Sequence, residues 1–326
     1  MRDLKYLLAY LVPASALLGL AWQGAWSWTT VALAFGLLPA LEFFTPQSKK
    51  NWAETTENAR TRRALFDWLL YANAPLLFGT VGWYLWVVSA QNLSVAELLG
   101  LTLSVGIVAS TCGINVAHEL GHRAHRREQV LAQIMLLPSL YQHFFVEHNR
   151  GHHKNVATDQ DPASARLGEN VFAFWLRSVA GSWRSAWHLE RERLEKSGQP
   201  EWSWANAMLR YTTYQAIWLL GIAPLLGWHA FFGAIAVATV SFLLLETVNY
   251  VEHYGLRRKT LPTGRPEPVS PRHSWNSDHE LGRIFLYELT RHSDHHFKST
   301  RKYQILRHLD ESPQLPFGYP TSIVLA

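Results

Sequence analysis

Nine of the sixteen histidines fall in three tight clusters and one singleton. They are His118 and His122 in HELGH, His148, His152 and His153 in HNRGHH, His253 in EHYG, and His292, His295 and His296 in HSDHH. Neutral imidazole suits zinc, copper, iron and nickel, and a zinc site takes about four ligands in all. Nine convergent imidazoles exceed what one ion can use, so they point to two. Neutral donors leave the metal charge uncompensated by protein carboxylates, and iron with open positions binds and activates oxygen. The residue types therefore lead to a dinuclear oxygenase or desaturase and stop there.

Spacing adds geometry. His118 and His122 at i and i+4 project from one helical face. His148, His152 and His153 stand at i, i+4 and i+5, and His292, His295 and His296 at i, i+3 and i+4. In each triplet two side chains share a face and the third is splayed, which lets one helix serve two ions. HExxH is also the signature of zinc proteases, with Glu119 as general base, but seven further clustered histidines argue against an intramembrane zinc metalloprotease. A histidine-rich transporter would carry its ligands along a path within the spans, whereas these gather on one face. Ligating histidines usually donate their other ring N–H to a carboxylate or carbonyl, and Glu147, Asp161, Glu252 and Asp294 are placed for that role. His125 follows His122 by three and shares its face. His143, His188, His229, His273, His279 and His308 are expected to be solvated or hydrogen-bonded.

These clusters must be held by apolar elements. Six stretches have membrane-spanning character: 6–22, 28–41, 66–88, 95–117, 211–228 and 231–250. Trp22, Trp26, Trp28, Trp83, Trp86, Tyr211, Trp228 and Tyr250 sit at their ends, where interfacial anchors belong. The connections 23–27 and 89–94 and the turn near His229 carry no Lys or Arg, whereas 46–65 carries Lys49, Lys50, Arg60, Arg62 and Arg63. Both termini and the histidine segments 118–210 and 251–326 are thereby assigned to the cytoplasm. Arg2, Lys5 and Ala14-Ser15-Ala16 also fit a signal peptide, but the apolar run continues through Trp22. Glu246, costly within a span at about 2.5 kcal/mol or more, is expected to face the bundle interior. Residues 159–206 mix polar side chains with Trp and Phe, as an interfacial helix or an aromatic-rich cap would. The proline-rich stretch 260–272 is expected to be a loop.

Mean hydropathy is −0.06 because apolar spans are averaged with polar, histidine-rich segments. The net charge of +5 is spread over loops flanking the spans, which fits membrane topology better than nucleic-acid binding. One cysteine, Cys112, excludes an intrachain disulfide, an iron–sulfur cluster and a fused four-cysteine rubredoxin. The whole chain, 1–326, reads as a single all-α membrane domain.

NVAHELGHR at 115–123, EHNRGHHKNVAT at 147–158, DPASAR at 161–166, NYVEHYGL at 249–256, RHSWNSDHE at 272–280 and RHSDHH at 291–296 resemble the motifs of the integral-membrane alkane 1-monooxygenase family. The resemblance extends from about residue 40 to the C-terminal QLPFGY, and NYVEHYGL separates this family from most fatty-acid desaturases. It implies a six-helix transmembrane bundle in the inner membrane, with a cytoplasmic histidine-rich cap holding two iron ions on all nine histidines. It further implies hydroxylation of n-alkanes to 1-alkanols with O2, fed by a separate rubredoxin and an NAD(P)H-dependent rubredoxin reductase. Relatives that hydroxylate methyl groups on alkylbenzenes share the histidine boxes and supply the alternative activity. Trp68, Leu69, Trp83, Phe35 and Leu103 are candidates for limiting substrate length.

Overall fold

Inside a bilayer every backbone polar group must be satisfied within the protein, which leaves an apolar chain of this kind to cross as helices. The computed structural model describes residues 2–326, and no strand occurs among them, only isolated bridges such as Gln47 to His279. Five helices are long and apolar enough to span a membrane: Asp3–Trp22, Gly24–Glu42, Ala64–Ala90, Val95–Gly121 and Ala207–His253. Their outward faces keep large apolar side chains exposed, among them Ile217, Leu220, Leu225 and Phe232, as contact with lipid requires. Their inward faces meet in one core around Phe66, Leu70, Leu77, Tyr84, Leu101 and Val105.

The longest helix is two spans. Gly227 adopts φ 82° and ψ 176°, a conformation essentially confined to glycine, three residues after Pro224. On one straight helix, residues 211 and 246 would stand about 50 Å apart. Yet Tyr211 Oη donates to Gln133 Oε1 at 2.8 Å and Tyr141 Oη donates to Glu246 Oε1 at 2.7 Å, while Gln142 Nε2 donates to the Gln133 carbonyl at 2.9 Å. Both ends of the helix therefore lie on the same cap segment, and the chain reverses at Gly227. Residues 207–226 and 228–253 are the fifth and sixth crossings, in agreement with the sequence.

The second crossing, short by sequence, reaches from Gly24 through Glu42. The fourth starts on a capping box between Ser94 and Glu97 and continues past residue 117 to Gly121, so His118 is held on a rigid helix. Polar contacts sort the ends. Glu97 accepts from Gly24 N–H at 2.9 Å at one end of the bundle. At the other, Asp3 pairs with Arg60 and Arg63, and Tyr6 Oη donates to Glu288 Oε1 at 2.5 Å. The N-terminal segment thus packs against the segment that carries HSDHH.

Within residues 159–206 the main element is the helix Val171–Lys196. Its buried positions 171, 174, 178, 182, 186, 190 and 194 form one stripe, and Phe172, Leu176 and Trp183 are exposed beside it. An amphipathic helix with such an apolar strip suits the membrane interface. The loop 260–272 is closed by its own turn, with Leu261 N–H on the Arg265 carbonyl and Glu267 N–H on the Lys259 carbonyl.

Replacing Gly227 by alanine is expected to cost about 1–3 kcal/mol and lower the unfolding temperature in detergent. Gly221→Ala, at a helical position with open space around it, is expected to be neutral or slightly stabilising in the same melt.

Candidate metal centre

All nine histidines arrive at one place, where the fourth and sixth crossings enter the cap. His118 and His122 end the fourth crossing and His253 ends the sixth. The segment 148–153 is braced by Arg150, which donates to the buried Glu190 at 2.6 Å. The helix His292–Phe297 is anchored by the fully buried Arg291, whose guanidinium donates to the carbonyls of Leu306 (2.6 Å), Ser48 (3.0 Å) and Lys50 (3.1 Å).

The side chains divide into two groups whose donor atoms all lie within 4.8 Å of one another: His118, His122, His148, His153 and His295, and His152, His253, His292 and His296. Local helix geometry sets the division. His148–His152 is a π-helical turn, in which the repeat lengthens to i→i+5. His148 and His153 therefore share a group, and His152 is directed to the other. In the regular helix of the last cluster, His292 and His296 at i, i+4 share a group and His295 is splayed. The division of each triplet between two groups agrees with the sequence spacing, but the partners within HNRGHH follow the π turn.

The distances suit metal ligation. Nε2 atoms lie 3.0 Å apart for His148 and His153 and 3.2 Å for His153 and His295. In the second group they lie at 3.2 Å for His152 and His296, 2.9 Å for His292 and His296, and 3.2 Å for His253 and His292. Neighbouring ligands at right angles on an ion with metal–nitrogen bonds of about 2.1 Å stand about 3.0 Å apart. A neutral imidazole has a single N–H, so hydrogen bonding cannot account for so many converging nitrogens. The Nε2 atoms of His118 and His122 have no protein partner at all. Each group can hold a metal ion.

Electrostatics favour the neutral, ligating form. Burial, then the neighbouring imidazoles, push His148, His153, His292, His295 and His296 well below the usual histidine range, and burial brings His122 to about 3. His152 differs: burial opposes its charge, but Asp161 Oδ2 at 3.0 Å from Nδ1 overcomes this and lifts it to about 8. Asp161 is itself held by Ser164 Oγ and the Ala163 N–H. It is a carboxylate on the outer nitrogen of a grouped histidine, the position the sequence expected for it.

The other three candidates are engaged otherwise. Glu147 accepts from Ser185, and Asp294 pairs with Arg301 and accepts from the Arg307 N–H. Glu252 Oε2 lies 3.2 Å from the converging Nε2 of His292, while Oε1 accepts from Tyr319 Oη at 2.9 Å. Adjacency in sequence did not put these carboxylates behind their neighbouring histidines, because successive helical side chains point in different directions. Glu119 is bound to Arg123 at 2.9 Å and to the Tyr303 N–H, so it is not free to serve as a hydrolytic base. His125 is exposed and outside both groups. Glu246 faces inward, accepting from Tyr141, Ser178 and Asn249.

An apolar cavity of about 920 Å³, its mouth included, runs from the crossings to His118, His148 and His292. Val12, Phe35, Ile107 and Leu244 line it, and it extends roughly 16 Å along the fourth crossing from His118 to Ile107. Two further π-helical stretches, Leu33–Leu37 and Ala109–Asn115, contribute to its wall. Of the five residues named as limiting length, Phe35 lines this space; Trp68, Leu69, Trp83 and Leu103 do not. Asn115 and Asn249 also line it. Sequence reasoning passed over both, although Asn115 stands three residues before His118 and Asn249 four before His253, on ligand-bearing faces.

Residues 92–324 match the fatty acid desaturase family model. Alkane 1-monooxygenase 2 of Pseudomonas aeruginosa is 40% identical over 95% of this chain and 82% of that protein. Alkane 1-monooxygenase 1 of Alcanivorax borkumensis is 37% identical over 98% and 80%. The hydroxylase component of the xylene/toluene monooxygenase of Pseudomonas putida is 28% identical over 97% and 83%. The chain belongs to the alkane 1-monooxygenase family of membrane-bound, desaturase-like enzymes.

Asp161→Asn is expected to weaken one of the two metal sites about 10–100-fold. Chelator titration followed by metal analysis should then release one ion per chain early and leave the other as in the parent protein.

Proposed function

We propose that this chain is a non-haem di-iron monooxygenase that converts n-alkanes and O2 to 1-alkanols and water. Its two electrons come from a separate rubredoxin reduced by an NAD(P)H-dependent rubredoxin reductase. The observation that carries this reading is the apolar cavity that ends on both histidine groups. The substrate class is the one in the names of the relatives that match at 37–40% identity. The nine histidines are the ligands, five on one ion and four on the other. Bound iron supplies the redox chemistry that oxygen insertion requires.

The protein's part is positioning. The cavity walls exclude water and hold a straight chain along the bundle axis, so the methyl is the part that reaches His118, His148 and His292. Regioselectivity then follows from shape, and preferred chain length from the depth of the apolar space. Lys49, Lys50, Arg60, Arg62 and Arg63 lie on the histidine side of the bundle, which supports an inner-membrane protein with its termini and metal centre cytoplasmic. The chain acts as a single unit, since the ligands come from four segments between residues 118 and 296 that meet only when the crossings are assembled.

Cells supplied with the chain, a rubredoxin and its reductase, and fed n-alkanes mixed with toluene and xylene, are expected to yield 1-alkanols by gas chromatography. The yield should vanish without oxygen. Benzylic alcohols alone would transfer the reading to the alkylbenzene chemistry in the name of the P. putida relative. Phe35→Ala should move the chain-length optimum upward in the same assay while terminal selectivity is retained.

A further inference from the structure

Glu42 ends the second crossing and is 4% exposed, yet neither carboxylate oxygen is paired with a side-chain donor. A buried carboxylate without such a partner is costly. It opens onto a second pocket, of about 580 Å³ with its mouth, whose wall includes Thr45, Gln47, His279 and Thr321. Unlike the apolar cavity, this pocket carries hydrogen-bonding groups on several sides. Phe43 and Phe317 stand at its edge, 37% or more exposed, at the cap-side end of the crossings.

The two spaces share a thin wall. Gly282 lines the apolar cavity, and a Cβ built on it would lie 3.0 Å from Glu42 Oε1. The rest of the partition is the short helix Tyr319–Leu325: Pro320 and Ile323 face the apolar cavity, and Thr321 faces the polar pocket. Tyr319 ties that helix to the metal centre through Glu252. Gly318 approaches Glu42 so closely that any Cβ there would collide with the carboxylate.

Resting on the alkane-hydroxylase reading, we propose that the Glu42 pocket is a binding site for the hydroxyl end of a primary alcohol, through which product leaves the apolar cavity. An n-alkane offers no group to a carboxylate, so it has no reason to enter the pocket. Hydroxylation adds one O–H donor. Glu42 accepts that hydrogen bond, Thr321 and Gln47 offer further partners, and the alkyl tail passes along Gly282 and Pro320. Substrate and product thus occupy different spaces because they differ in one polar group.

Two photolabels test this on the full chain in lipid nanodiscs: a 1-alkanol with a diazirine near its hydroxyl end, and the n-alkane with a diazirine at the matching carbon. Residue-level peptide mapping is expected to find both probes on cavity residues such as Ile107 and Leu286, and the alcohol alone on Phe43, Thr45, Gln47 and Phe317. Glu42→Leu should reduce that second labelling about tenfold, the worth of one buried hydrogen bond, with cavity labelling retained. Thr321→Trp, at a half-buried site, should fill the pocket and give the same loss without touching Glu42. Alcohol confined to the cavity, or pocket labelling that persists in Glu42→Leu, would overturn the site while leaving the hydroxylase reading intact. Absence of cavity labelling by the alkane would overturn the reading itself, and the port with it.

Discussion

Nine buried imidazoles gather in two groups, seven of them with Nε2 atoms 2.9–3.2 Å from a neighbour, an arrangement that a metal ion in each group would stabilise. Desolvated lone pairs repel, and a neutral imidazole cannot hydrogen-bond to two neighbours through one N–H. The two groups therefore impose a common meeting point on four distant segments of chain. The fourth crossing must end beside the sixth, the 148–153 turn must lie over both, and the 292–297 helix must close from the C-terminal side. The reversal at Gly227 serves this requirement, because it returns the sixth crossing to the cap so that His253 can join the second group.

The surroundings follow from the same constraint. Most nearby carboxylates are committed away from the histidine groups: Glu119 to Arg123, Asp294 to Arg301, Glu246 to Tyr141 and Ser178. Two carboxylates do reach the histidines: Asp161, held on the outer nitrogen of His152, and Glu252, whose Oε2 lies 3.2 Å from His292 Nε2. Toward the bilayer, polarity falls through Asn115 and Asn249 to Ile107, Phe35 and Val12. Reactive centre and apolar reservoir are thus joined along a single axis. The polar pocket at Glu42 lies off that axis, behind Gly282 and the Tyr319–Leu325 helix.

Three π-helical turns redirect the side chains around the site. Each inserts an extra residue into a helical repeat and so rotates the following side chains relative to those before. One distributes His148, His152 and His153 between the groups; the other two shape the wall of the cavity at 33–37 and 109–115. Regular i, i+4 reasoning is sound for His118 with His122 and for His292 with His296, where the helix is regular. It misleads within HNRGHH, where the repeat is longer.

Much of this molecule was legible in its residues. Apolar length marked six crossings, loop charge put the histidine clusters on one face, and the number of imidazoles called for more than one cluster of ligating type, which the two histidine groups match, because hydropathy, charge and residue count are local properties of a sequence. The motifs carried the family. Tertiary structure alone decided which histidines share a group, that Asp161 rather than Glu147 or Asp294 stands behind a grouped histidine, that Phe35 rather than Trp68 or Trp83 borders the cavity, and that Glu42 is buried beside Gly282 and Gly318. Those outcomes depend on helix phase and on contacts between segments far apart in the chain, and neither is encoded in the spacing of neighbouring residues.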